Sequence, residues 1–156
     1  MAFDALTRAS LQPPNAADPF VLDWQAGPWD ALTPHLTRQE LGAGTTLIHH
    51  LARDRVMYLL ETGVLQVFLP TASPVRRPVA ILRAGAIVGE PALFANTPRM
   101  AQVDAMAPCV IWALTREAFD VFANTHPVAA CKWLRACGAV MAVRMAANLE
   151  RGYPVA

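Results

Sequence analysis

Between residues 85 and 103 the chain reads Gly-Ala-Ile-Val-Gly-Glu-Pro-Ala-Leu-Phe-Ala-Asn-Thr-Pro-Arg-Met-Ala-Gln-Val. Three residues of this stretch could do chemistry together. Gly89 lets a ligand come close to the backbone. Pro91 is tolerated in a first helical turn, so Glu90 to Phe94 can form about one turn of helix. The amides at that start, near Ala92 and Leu93, suit an anion. Arg99, just past a turn at Pro98, can fork onto the same anion. Glu90 is a carboxylate beside an anion site, so it must face something else, such as sugar hydroxyls. One anion and one diol together are the chemistry of a nucleotide. The plainer alternative is a strand, a turn and a helix carrying a surface Glu–Arg pair.

The elements that must position these residues are legible as a series of short strands followed by helices. Residues 1–20 read as a flexible tail, because Pro13-Pro14 and Asp18-Pro19 interrupt any helix; Phe3 and Leu6 could still dock on the domain. Trp24, Trp29, Leu32 and Leu36 suggest a short amphipathic helix broken by Pro28 and Pro34, its tryptophans anchoring it on a sheet. Strands are expected at 38–41 and 45–48, around a Gly42–Gly44 turn. Arg55–Glu61 is apolar at nearly every position and reads as a buried strand. Thr62-Gly63 then reads as a hairpin turn, with Val64–Leu69 as its return partner. Pro70–Pro78 is a long hairpin tip kept out of the sheet by its prolines, with the Arg76-Arg77 doublet solvating it. Val79–Leu82 resumes the sheet. Ala101, Val103, Ala105 and Ala107 alternate with Gln102 and Asp104, the mark of a half-buried strand. Val110–Leu114 is the last strand. Thr115 is a good N-cap for a helix over 115–124, and Pro127 lies in the first turn of a longer helix over 126–150, capped by Thr125 or His126 and ended by Gly152 and Pro154. The fold class this predicts is mainly β with helices: an antiparallel jelly-roll barrel (a double-stranded β-helix) with one short N-terminal helix and two C-terminal helices. The domain is expected over 21–150, with a second tail at 151–156.

Gly89-Glu90-x-Ala92-Leu93, followed by Pro98-Arg99-x-Ala101 and Val103, resembles the phosphate-binding cassette of cyclic nucleotide-binding domains. Tyr58-Leu-Leu-Glu-Thr-Gly63-Val-Leu-Gln-Val67 and the order of strands before helices resemble that family too. The likeness runs over about Trp24 to Leu149 and is to the effector domain of catabolite activator and Fnr-like regulators, without their DNA-binding domain. It implies that Glu90 holds the ribose 2′-hydroxyl, that Arg99 pairs with the cyclic phosphate, and that amides at Gly89 and Ala92 complete the cradle. Leu93, Met100 and Ala101 belong to the same expected ligand-binding set. Domains of this family that prefer cyclic GMP tend to carry a Thr where this chain has Met100, and Met has no donor, so cyclic AMP is the better expectation. The helix from Val128 to Glu150 has no Ser or Thr to hold adenine, and Arg144 is the candidate for a base contact.

Composition narrows the rest. With 156 residues the chain has the size of one domain with a proper core. Hydrophobic residues make up 54% and the net charge is +1, with none of the clustered basic footprint that nucleic acid demands. No DNA-reading helix is expected after Arg151. The N-terminus lacks a signal-peptide core, and Lys132, Arg135 and Arg144 interrupt the most apolar segment, so no membrane span is expected. Cys109, Cys131 and Cys137, an odd number without paired spacing, read as reduced, buried thiols and point to a cytoplasmic protein. His49 and His50 should point to opposite faces of a strand, so no metal site is expected. Leu134, Gly138, Met141, Met145 and Asn148/Leu149 make a coiled-coil-like seam, beside small residues Ala139, Ala142 and Ala146 that permit close approach; a homodimer through 126–150 follows. The expected function is a cyclic nucleotide sensor, not an enzyme, signalling through an unknown protein effector or its own dimer. The alternative is a dimerisation or interaction module that keeps the fold and binds no ligand. An oxygenase or hydrolase on a jelly roll would need converging metal ligands that the sequence does not offer.

Overall fold

In the computed structural model the described residues are 28–76 and 78–152, the first two of them by backbone alone. The expected tail at 1–20, its Phe3 and Leu6, Trp24, the Trp29 side chain, Arg77 and Pro154 fall outside that description. The first described element is α1 (Pro28–Leu32), continued by a 3-10 turn at Thr33–His35. Eight strands follow: β1 (Thr37–Leu41), β2 (Thr46–Ile48), β3 (Val56–Thr62), β4 (Val64–Phe68), β5 (Ala80–Arg83), β6 (Ile87–Val88), β7 (Gln102–Ala105) and β8 (Cys109–Thr115). Helix α2 (Pro91–Phe94) interrupts them, and α3 (Arg116–Thr125) and α4 (Pro127–Glu150) close the chain.

The strands form two four-stranded sheets, ordered β1-β8-β3-β6 and β2-β7-β4-β5, with every pairing antiparallel. One expectation is overturned here. β3 and β4 are not hairpin partners: β3 lies in the first sheet and β4 in the second, and Thr62-Gly63 is the corner between them. Gly63 has φ +97°, and a Cβ on it would sit 2.5 Å from the Pro108 carbonyl oxygen and 2.6 Å from Cys109 Sγ. The corner is so tightly applied to the β7–β8 connection that only glycine fits. The β4–β5 hairpin does form as expected, and Arg76 folds back from its tip over the Phe68 ring, 4.3 Å from the ring centre, and toward Asp104 at 3.6 Å.

Alternation along β3 divides the interior. Met57 and Leu59 join Trp112, Leu114, Leu32 and the buried face of the C-terminal helices in one apolar cluster. Tyr58 and Leu60 face the other way, into a second cluster with Ile48, Leu65, Leu82, Val88 and Val103 between the sheets. Helix α3 starts as expected, with Thr115 Oγ1 accepting from the Ala118 amide at 3.1 Å, which is worth about 1 kcal/mol. Phe119 and Phe122 on α3 meet Ala130, Trp133, Cys137 and Val140 on α4, residues whose spacing places them on one helical face. Cys109 and Cys137 are buried; Cys131 is exposed, against the expectation that all three thiols are core residues. It sits on the face of α4 turned away from the cluster, which a simple hydrophobicity count does not reveal. Among the described residues no helix is long and apolar enough to cross a membrane, and no group of three His, Cys, Asp or Glu side chains could hold a metal ion.

Candidate functional site

The site is built on the turn from β6 into α2. Gly89 has φ +80°. A Cβ there would lie 2.9 Å from both Arg99 Nη1 and the Val56 carbonyl oxygen, so the glycine is required both by its dihedral and by the closeness of Arg99. Glu90 stands at the start of α2 without a side-chain cap hydrogen bond, and Pro91 occupies the first turn as the sequence predicts. The helix amides are placed differently from expectation. The Ala92 N–H donates to the Gly89 carbonyl at 3.1 Å and the Leu93 N–H to the Glu90 carbonyl at 3.0 Å. A four-residue helix satisfies its amides by tight i→i+3 bonds, so these two N–H groups are not left open toward an anion.

Glu90 and Arg99 are both buried, at 3% and 7% exposure, unusual for charged side chains unless they are partnered. Arg99 is held from three directions. Its Nε and Nη2 donate to the two carboxylate oxygens of Asp54, Nη2 also to the Val56 carbonyl, and Nη1 to the Gly89 carbonyl at 3.2 Å. Its backbone is fixed as well: the Arg99 N–H donates to the Ala52 carbonyl at 2.8 Å, and the Leu51 N–H to the Arg99 carbonyl at 2.9 Å. The Arg99 side-chain hydrogen bonds hold the Asp54 carboxyl below its usual value; partial burial opposes them and the Arg99 charge adds to them. Asp54 is a site residue that sequence reasoning misses. It stands 45 positions from Arg99 in a loop between two arginines, and no local period marks it. Tyr58, on the neighbouring strand and facing between the sheets, has its phenol pushed up by burial and then by the Asp54 charge, with Arg99 opposing.

Glu90 is met from the opposite end of the chain. Arg144 on α4 donates from Nη1 to Glu90 Oε1 at 2.8 Å and from Nη2 to the Ile87 carbonyl at 2.8 Å. Glu90 Oε2 is buried with no hydrogen-bond partner among the described residues. Arg144, expected as a base contact, is therefore seated on the carboxylate of the cassette. Behind it, burial and the Glu90 charge push the Cys137 thiol far up, with Arg144 opposing. Met100 is 48% exposed and leaves the interior clear; Ala101 is half-buried at the entry to β7. On the other side of α2, Arg55 Nε donates to the Ala92 carbonyl at 3.3 Å and Arg116 Nη1 to the Leu93 carbonyl at 2.6 Å.

Two antiparallel sheets with a glycine-turned cassette between strands and two helices after them define a β-roll domain. The family model described as cyclic nucleotide-binding domain matches residues 38–126, and the chain belongs to that family. Over 91 residues it is 36% identical to a cAMP-dependent protein kinase regulatory subunit of Blastocladiella emersonii, a match that takes in 58% of this chain and 23% of that protein; the chain thus spans about a quarter of its curated relative. Among solved structures, a cyclic nucleotide-binding domain from Methylobacillus flagellatus superposes with a TM-score of 0.76 at 20% identity, over 86% of this chain and 77% of that one. The catabolite activator protein of Thermus thermophilus superposes at 0.72 with 22% identity, over 86% and 62%.

Proposed function

We propose that this chain is a receptor for a cyclic nucleotide, with cyclic AMP preferred, and that Glu90 and Arg99 are its ligand-binding pair. The observation that carries the reading is the half-satisfied Glu90 carboxylate. One oxygen is neutralised by Arg144, while Oε2 is buried without a donor. A buried acceptor left unmatched costs about 1–3 kcal/mol, and a ribose 2′-hydroxyl supplies the missing donor. Arg99 supports the anion half of the site. Its guanidinium has five N–H groups; the bonds to Asp54, Val56 and Gly89 engage four of them, leaving one on Nη1 for a phosphate oxygen. The rest of the phosphate shell must come from amides that turn from their present carbonyls or from Arg99 leaving Asp54. The preference for cyclic AMP rests on Met100, which offers no hydroxyl, and on the likeness to a cAMP-dependent protein kinase regulatory subunit. The receptor acts in the cytosol as a homodimer through α4, whose residues Ala139, Ala142, Val143, Met145, Ala146 and Leu149 are exposed, and signals to a protein effector rather than catalysing a reaction.

Isothermal titration with cyclic AMP and cyclic GMP tests the reading. Binding of cyclic AMP is expected, weakened at least about tenfold by Arg99→Ala, the loss typical of a hydrogen bond to a charged group. No heat with either nucleotide up to about millimolar concentration, where binding free energy is only about 4 kcal/mol, overturns it. The exposed apolar face of α4 favours a second reading, a dimerisation module that binds no ligand. Light scattering with and without nucleotide separates the two, since a dimer indifferent to nucleotide supports the module.

A further inference from the structure

The geometry points to Tyr58 as a further ligand-binding residue, whose phenol O–H donates to an oxygen of the bound phosphate. This inference rests on the receptor reading above and adds one residue to the same site.

A phosphate needs more donors than the cassette now offers. Arg99 keeps a single N–H, on Nη1, outside its bonds to Asp54, Val56 and Gly89. The Ala92 and Leu93 amides already donate to carbonyls of their own turn. Strand β3 runs beside both. Val56 gives its carbonyl to Arg99 Nη2, and a Cβ on Gly89 would stand 2.9 Å from that same oxygen. Tyr58 is the next residue after Val56 on that face of β3. Across the sheet it pairs with Val88, the residue before Gly89. Tyr58 therefore stands one pleat from the glycine turn and the guanidinium, on the side that packs between the sheets with Ile48 and Val88.

Its hydroxyl is a donor without an acceptor. A buried phenol usually finds a hydrogen-bond partner for its O–H. The half-buried Tyr58 makes no hydrogen bond to any other described residue. It does feel the charges of both Asp54 and Arg99, which places it in the electrostatic reach of the pair that must rearrange around an anion. Burial, and after it the Asp54 charge, push the phenol up, so it is protonated and able to donate at neutral pH. A phenol has one O–H to give, and an anionic oxygen is the acceptor that makes this bond strong. A neutral donor also suits the position. It adds a bond to the phosphate without bringing in another buried charge that would need a counter-ion of its own.

Tyr58→Phe removes the hydroxyl and keeps the ring, so the packing between the sheets is retained; thermal melting verifies the fold. Calorimetry of the full chain is run with cyclic AMP and with its Rp and Sp phosphorothioates. Each diastereomer replaces one of the two exocyclic phosphate oxygens with sulfur, a poor acceptor. Tyr58→Phe is expected to weaken cyclic AMP at least about tenfold, the loss typical of a hydrogen bond to a charged group. The diastereomer whose sulfur lies at the hydroxyl should lose less than about threefold, while the other loses as much as cyclic AMP does. A loss equal for all three ligands means that the ring only packs, and it overturns the contact. A folded variant that binds all three as the wild type does overturns it too. Either result leaves the receptor reading standing. A wild type that takes no nucleotide in the calorimeter brings down the receptor reading, and this inference with it.

Discussion

Arg144 on the last helix donates to Glu90 Oε1 in the cassette at 2.8 Å, although 54 positions separate them in the chain. The pair ties α4 to the turn after β6. Removing the guanidinium leaves a carboxylate buried beside the Cys137 thiol. Arg144→Ala is therefore expected to lower the unfolding free energy by about 1.5–3 kcal/mol, the worth of a charged hydrogen bond in a half-buried setting. Urea denaturation monitored by the tryptophans measures it, and an unchanged midpoint contradicts it.

Two glycines should respond oppositely to alanine. At Gly89 the new methyl would meet Arg99 Nη1 and the Val56 carbonyl at 2.9 Å, on a backbone with φ +80°. Gly89→Ala is expected to cost about 1–3 kcal/mol of stability and to reduce nucleotide binding with it. At Gly138, inside α4, a methyl meets nothing within 4 Å. Gly138→Ala is expected to gain about 0.5–1 kcal/mol. Thermal melting of both variants checks the contrast.

Asp54 gives the domain an acid limit. Its carboxyl is held below the ordinary value of 3.8, foremost by the Arg99 hydrogen bonds. A group with a depressed folded pKa contributes stability that is complete above its unfolded value and is lost as pH falls through the folded one. The wild type is expected to lose this contribution below pH about 4. Asp54→Asn should be less stable at neutral pH and lack that part of the acid slope. Unfolding curves at neutral pH and through the acid range decide it, and parallel slopes for the two proteins contradict the assignment.

Cys131 offers a chemical test of the dimer. It is exposed and lies on the same face of α4 as the exposed Ala142, Met145 and Leu149, whereas Leu134 of the expected seam packs on the chain's own core. If two copies of that helix pair in parallel, the two Cys131 residues come within the ~7 Å between Cα atoms that a disulfide spans. Mild oxidation with diamide should give a covalent dimer on a non-reducing gel, absent in Cys131→Ser. A chain that stays monomeric by light scattering and yields no such band refutes the pairing.

The turn and short helix between Gly89 and Arg99 could be read from the sequence because their geometry is local. Gly89, Glu90, Pro91 and Arg99 lie within a dozen positions, and their conformational demands are written in their own types. The helix starts at Thr115 and Pro127 were legible for the same reason. What the sequence hid depends on distance along the chain. Thr62-Gly63 looks identical whether it closes a hairpin or turns a corner between sheets, and only the fit of Gly63 against Pro108 and Cys109 distinguishes the two. Asp54 and Arg144 carry no local signal either, since each acquires its role from a partner far away in sequence. Cys131 and Cys137 share one helix, and which of them is exposed was settled by the phase of α4 on its neighbours.

Strand β3 serves as a partition wall. Its odd positions, Met57 and Leu59, belong to the helix compartment, and its even positions, Tyr58 and Leu60, to the core between the sheets. Substitutions at the even positions can repack the core between the sheets while the docking of the C-terminal helices stays as it is, and substitutions at the odd positions can retune that docking without entering that core. The two cores can thus drift separately in descendants of this sequence, although a single ribbon of seven residues borders both.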